Sequence, residues 1–466
     1  MLQSKLIRLL KTLSKEEWTA LNAFIHSPFH NKHLKVRKLF LYLYDLKTFN
    51  TNNLNETHIC SILFEKSNPN SKKQFNHVKS YLFKAVEAFL IYQEGQNDQK
   101  KIDKITLQMY RKRGMEKMFR STLQKINKKQ TQGSYRNSAF FEHQFKIELE
   151  TYAWQEHQTK RGEMDLQALS DTLDTAFIIE KLKHSCTLLS HQAVYKTAYE
   201  TGLLDAVLAY IVQNNLLKTP AIAIYYHSYH ALKNPENLIH FQTLKSLIKK
   251  FAALFPPEEL KSIYVLTINF CIRQINLGNP VFFKESFDLY KEGLSNKALL
   301  DNGRLSRWTY KNIVASGLVL QEFEWIEYFI HHYKDYVTEI YQESVYQYNL
   351  AQLHYYRKEH GKAMELLLRV NEKDLLLLLS AKTLLCKIYY ELNEIKTLDS
   401  FLHSFELYVR RQSAIGYHQK NYLHFTKCMK RLIKVNFHDK KAVNDFKEMI
   451  VAYKILPEKK WLLLQL

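Results

Sequence analysis

The sequence predicts an all-α protein, and three observations carry that expectation. Only 11 glycines and 8 prolines punctuate 466 residues, leaving few places for tight hairpin turns. Leu, Lys, Glu, Gln and Ala, which favour helices, are plentiful. No segment sustains the period-two alternation of a half-buried strand. A chain of this length implies two or three domains or an elongated repeat array. The expected division is an N-terminal helical domain over 1–98, a helical-repeat region over 99–409 and basic closing helices over 410–466.

Reading from the start, a short amphipathic helix over 2–12 carries the stripe Leu2, Leu6, Leu9 and Leu10, expected to pack on the next helix rather than to lie on a membrane. Ser14 with Glu17 forms a capping-box signature, starting a helix that runs to about His26, where "SPFHNKH" breaks it. Another helix follows to about Leu46, and a shorter one from Glu56 to Phe64. After "EKSNPN" comes a long helix from Ser71 to about Tyr92. The polar run "QEGQNDQKK" at 93–101 reads as a linker. Beyond it, helical stretches are punctuated by "GSYRNS", "KTPAIA", "KNPEN", "FPPEEL" and "LGNPV". Pro220 behind Thr219 and Pro235 behind Asn234 are expected in the first turns of helices.

An internal repeat emerges when Ser316, Ala351 and Cys386 are aligned at a 35-residue step. Without gaps, Leu320, Tyr355 and Tyr390 then fall together, as do Glu324, Glu359 and Glu394, then Trp325, His360 and Ile395, then Tyr328, Ala363 and Leu398. A small residue in the first helix of each pair lets the second approach, and a bulky residue at the start of the second fills the adjoining space.

This pattern resembles the tetratricopeptide repeat, most clearly over 309–408, where Leu350, Ala351, Tyr355, His360, Ala363, Leu367 and Val370 occupy that family's small and large packing positions. Looser pairs lie at 105–130, 221–250 and 264–293. The period is one residue longer than usual, Tyr328 stands where a small residue belongs, and the proline that commonly ends a repeat is missing. The resemblance implies helical hairpins stacked as a right-handed α-solenoid, with first helices lining a concave groove. Groove positions would be Tyr310, Ile313 and Leu320 in one pair, Tyr348, Gln352, Tyr355 and Tyr356 in the next, and Thr383, Lys387 and Tyr390 in the third. Exposed tyrosines make good anchors, with large contact area at small entropy cost. Family members that grip a C-terminal carboxylate use Lys and Asn where Tyr348 and Gln352 stand, so that ligand is not expected.

The net charge of +21 is unevenly spread. Residues 1–98 carry +6, 99–136 carry +10, 137–409 carry −4 and 410–466 carry +9. The densest basic patch comprises Lys100, Lys101, Lys104, Arg111, Lys112, Arg113, Lys117, Arg120, Lys125, Lys128 and Lys129. The five cysteines, Cys60, Cys186, Cys271, Cys386 and Cys428, are scattered, odd in number and form no CxxC pair. They read as reduced core thiols of a cytoplasmic protein. No apolar run is long enough for a secretory or membrane-spanning segment.

No glycine-rich phosphate loop, GxSxG elbow, HExxH or Rossmann fingerprint occurs, so no enzyme and no cofactor is expected. His26, His30 and His33 cluster around Pro28 without a cysteine or acid to complete a metal set, and His227 with His230 reads as packing. No metal is expected. The reading is a protein-interaction scaffold that holds a partner peptide or helix in a tyrosine-lined groove. The alternative is a nucleic-acid-associated regulator using basic segments 99–136 and 410–466, or a helix-turn-helix-like element at 56–86. Against that element, its second helix offers only Lys72, Lys73, Lys79 and Lys84 as cations, and its turn is long.

Overall fold

The structure, a computed structural model, describes residues 1–46, 49–50, 53–64, 71–156, 166–195, 197–370, 374–412, 416 and 418–466. It is 78% helical, and the all-α expectation holds. The one sheet among the described residues is a ribbon of β1 (Leu300–Asp301) against β2 (Arg304–Leu305). Asn302 and Gly303 both have positive φ, 48° and 75°, the requirement of a two-residue type I′ turn.

The chain divides into two units, Met1–Gly133 with Phe141–Leu173, and Ser134–Phe140 with Asp174–Leu466. The first unit holds α1 (Lys5–Leu10), α2 (Lys15–His26), α3 (Leu34–Asp45), α4 (Glu56–Leu63), α5 (Ser71–Asn97), α6 (Gln99–Lys112), α7 (Glu116–Gln132), most of α8 (Ser138–Glu156) and the start of α9 (Leu166–Tyr195). The capping box forms as the sequence demands, with the Ser14 hydroxyl accepting from Glu17 N–H and the Glu17 carboxylate accepting from Ser14 N–H. Leu6 and Leu10 of α1 are buried in a core shared with Phe40, Phe75, Leu82 and Val86, and Leu2 and Leu9 pack on its edge. A second cluster unites Leu107, Phe119, Ile126, Ile147 and Trp154. The run at 93–101, expected as a linker, is helical on both sides of Asp98, whose carboxylate caps α6 by accepting from Lys101 N–H at 3.1 Å. Gln, Glu and Lys are good helix formers, so polarity alone did not break the helix.

In the second unit the rest of α9 is followed by α10 (Leu204–Gln213), α11 (Pro220–Lys233), α12 (Leu238–Phe251), α13 (Pro257–Asn276), α14 (Val281–Ser295), the ribbon, α15 (Arg307–Val319) and α16 (Phe323–His332). Then come α17 (Glu339–Tyr356), α18 (His360–Leu368), α19 (Leu375–Glu391), α20 (Ile395–Arg411), α21 (His418–Leu432), α22 (Lys440–Ala452) and α23 (Lys459–Leu464). Pro220 heads α11 as expected. Pro235 does not head a helix: Asn234 closes α11, and α12 starts later behind Asn237, whose side chain accepts from Ile239 N–H.

Five helical hairpins, α6–α7, α13–α14, α15–α16, α17–α18 and α19–α20, turn in one way. A residue in the left-handed region, Gly114, Gly278, Gln321, Lys358 or Asn393, is followed by one whose N–H reaches five residues back. Glu322 bonds Gly317 O at 2.9 Å, Glu359 bonds His354 O at 2.8 Å and Glu394 bonds Tyr389 O at 2.9 Å. This is the Schellman closure, which satisfies a carbonyl left over at the helix end. It also corrects the repeat register. Helices α16, α18 and α20 begin at Phe323, His360 and Ile395, so the gapless alignment misplaces the first of them by two residues. Ile326, Ala363 and Leu398 are the true equivalents, all fully buried, whereas Tyr328 is 57% exposed. In the first helices the same closure sets Val314, not Ser316, opposite Ala351 and Cys386, and all three are fully buried.

Candidate partner-binding face

The groove tyrosines were expected to be open to solvent, and most are not. Tyr310, Tyr348, Tyr355 and Lys387 are buried, Gln352 and Tyr390 are half-buried, and Tyr356 is exposed. Tyr310 lies elsewhere, since its hydroxyl donates to Ile330 O at 2.7 Å and its ring packs on Phe329 between α15 and α16. Ile313 is buried as well, and buried Thr383 turns its hydroxyl back to Leu379 O.

The remaining residues do converge, on one face built by α17 and α19. Ala351 and Cys386 on these two helices are without solvent exposure. Gln352 Nε2 donates to the Tyr348 hydroxyl at 3.1 Å. Beside Tyr348, Lys311 of α15 donates to Ser380 Oγ, and burial holds its ammonium below the usual lysine range. Tyr355 donates its hydroxyl to the Glu391 carboxylate, and burial with that neighbouring charge pushes the phenol up. Two buried polar atoms here, Gln352 Oε1 and His360 Nδ1, find no hydrogen-bond partner among the described residues.

What covers this face is the chain itself. The Glu458 carboxylate meets Lys387 Nζ at 2.7 Å. Trp461 of α23 donates its indole N–H to Glu391 Oε1 at 2.9 Å and sets its ring edge-on to Tyr390. Lys387 Nζ thereby lies 4.8 Å from the Tyr355 ring centre and 5.6 Å from that of Trp461. A cation between two aromatic rings with a carboxylate in contact is strongly held. Leu462 and Leu456 are buried in a core with Leu398, Phe405, Phe425 and Phe446. Glu458 and Trp461 escaped the reading of the sequence because nothing local in "PEKKW" announces a contact some seventy residues away.

The basic patch occupies the α6–α7 hairpin of the first unit. Lys112, Arg113, Lys117, Lys125, Lys128 and Lys129 are exposed and form no ion pair among the described residues. Arg111 differs: it pairs with largely buried Glu150 at 2.9 Å and is structural. Arg120 pairs with Glu116 and Lys101 with Asp98, while Lys100 is exposed and Lys104 half-buried. In the helix-turn-helix-like element, α5 buries Phe75, Val78 and Leu82, and Lys79 pairs with Glu56 at 3.5 Å. Its turn at 65–70 lies outside the described residues.

Two further features lie apart from the α17–α19 face. A cleft of about 910 Å³ in the second unit is lined by Lys183, Ser190, Tyr225, Lys261, Asn269 and Asp301, among others. On its edge the buried Glu259 carboxylate accepts from Asn137 at 2.6 Å and from the Tyr225 hydroxyl at 2.8 Å. On α11 and α12, His227 Nδ1 and His240 Nδ1 lie 3.0 Å apart, and the rings of His230 and His240 stack at 4.8 Å. Burial, then the neighbouring imidazoles, pushes His227 down to about 4; burial, His240 and Lys233 do the same to His230. Among the described residues no group of three His, Cys, Asp or Glu is placed to hold a metal ion. His30 instead stacks on Phe24 and His33 on Tyr81. No helix among the described residues is long and apolar enough to cross a membrane.

No protein-family model, curated protein or solved structure matches the chain.

Proposed function

We propose that this chain is a non-enzymatic protein-interaction scaffold, built of tetratricopeptide-like hairpins stacked as a right-handed α-solenoid, that holds a partner peptide across the face of α17 and α19. One observation carries the reading: that face grips a short helical segment through a charged group between aromatic rings. Buried, desolvated aromatic and charged anchors of this kind dominate peptide affinity. Gln352 Oε1, buried and without a partner among the described residues, offers a further acceptor. The dispersed free thiols, four of them buried, fit a reducing compartment such as the cytoplasm.

Selection of a random peptide library on the immobilised full chain tests the reading. Enriched peptides should lose binding to Lys387→Gln and Glu391→Gln variants by tenfold or more. Failure to enrich any peptide, or binders indifferent to both substitutions, would refute it.

A second reading has its own observation. Lys112, Arg113, Lys117, Lys125, Lys128 and Lys129 of the α6–α7 hairpin, exposed and without an ion pair among the described residues, would meet the phosphates of a nucleic acid with an affinity set by released counterions.

A further inference from the structure

Both sides of the covered face differ in how firmly they are held. On the receiving side Lys387 and Glu391 belong to one helix of 17 residues, α19, with side chains only 9% and 18% exposed. Besides Trp461, Glu391 has Tyr355 as a hydrogen-bond donor, with Lys358 and His360 within 4 Å. The covering side is a helix of six residues, too short to persist by itself in water. Its cap, Glu458, has φ +55°, a left-handed conformation that strains a residue with a Cβ. Ile455 before it and Leu464 within it remain exposed. Leu462, fully buried, ties α23 into the core with Trp461 and Leu463 partly buried against it, while Leu456 anchors the chain just ahead.

We propose that Glu458, Trp461 and Leu462 are an exchangeable occupant of this face, and that the partner is a peptide of the same chemistry, presenting a carboxylate, an aromatic ring three positions later and an aliphatic side chain next to it. The inference rests on the face being a peptide-binding surface. Lys387 selects the carboxylate, Glu391 the ring N–H, and the apolar core that includes Phe405, Phe425 and Phe446 the aliphatic group. Exchange is favoured because the competitor leaves the strained Glu458 linkage to relax, while the attached segment competes at high effective concentration and holds basal affinity low.

The test uses the full chain and a fluorescein-labelled synthetic peptide copying residues 454–466. Anisotropy titration should show at least about tenfold tighter binding to the Glu458→Gln/Trp461→Ala variant than to the unaltered chain, because the competing occupant is weakened. The gain should vanish when the same two changes are made in the peptide. Equal affinity for both proteins would overturn the proposal. Hydrogen exchange on the unaltered chain covers the case in which that variant does not fold: amides of 459–464 should open well before those of 425–432, and equal protection would mark α23 as a fixed cap and sink the idea. The library selection separates the two levels. Lys387-dependent binders that lack the acid and aromatic spacing refute this inference and leave the face a binding site, whereas no enrichment removes both.

Discussion

At the scale of single residues, packing decides more than propensity. Gly317 lies inside α15, where Ala would ordinarily be preferred by roughly 1 kcal/mol. A Cβ added there would stand 2.4 Å from Ile326 Cδ1 and 2.9 Å from Phe287 Cε2, a conflict that a filled core relieves only by moving. Gly317→Ala should therefore destabilise the protein, by about 1–3 kcal/mol, measured as a lowered urea midpoint; an unchanged or raised midpoint would refute the tight α15–α16 crossing. Ala351 and Cys386, fully buried one period apart, were legible because size at a fixed step is a one-dimensional pattern, whereas the turn at Gln321 sets Val314 and not Ser316 opposite them. The exposure of the tyrosines was not legible. Tyr348 and Tyr355 stand at groove positions but are buried, and Glu458 and Trp461, which meet Lys387 and Glu391 beside Tyr355, are connected to them by no spacing in the sequence.

At the scale of elements, turn chemistry explains both a success and an error of the sequence reading. Gly114 and Gly278 are visible punctuation, whereas Gln321, Lys358 and Asn393 occupy the same left-handed turn without glycine. The first repeat was consequently aligned two residues late. The α11–α12 hairpin carries a different element-level property, because three imidazoles share it. His227 and His230 are pushed down to about 4 and His240 is also lowered. The unfolded chain, with ordinary histidines near 6.5, binds more protons in that interval. Stability from this cluster is thus complete above about pH 6.5 and is lost as pH falls toward 4. Thermal melts between pH 7.5 and 5, above the range where carboxylates titrate, should show a falling midpoint in the unaltered chain and a shallower fall in His230→Gln. Parallel curves would show that the cluster does not couple to folding.

At the scale of the whole molecule, charge and sequence separation govern behaviour. The excess of basic residues at 99–136 was legible by counting, but which cations are available was not. Arg111, central to the basic run, is committed to Glu150, so its reversal would damage the first unit rather than report on binding. If the hairpin takes nucleic acid, reversing Lys112, Arg113 and Lys117 to Glu should flatten the slope of log affinity against log salt by about three for duplex DNA. A fluorescence titration across salt concentrations checks this, and an unchanged slope would remove the reading. The covering of the α17–α19 face has a further consequence, for the order in which the chain is made. Trp461 and Glu391 are 70 residues apart, and at a synthesis rate of about 5–20 residues per second the later residue emerges roughly 4–14 s after the earlier one. The turns that close the hairpins from α15 to α20 are local in sequence and form ahead of it. During those seconds the nascent protein displays its aromatic face uncovered, open to any chaperone or partner that reaches the ribosome first.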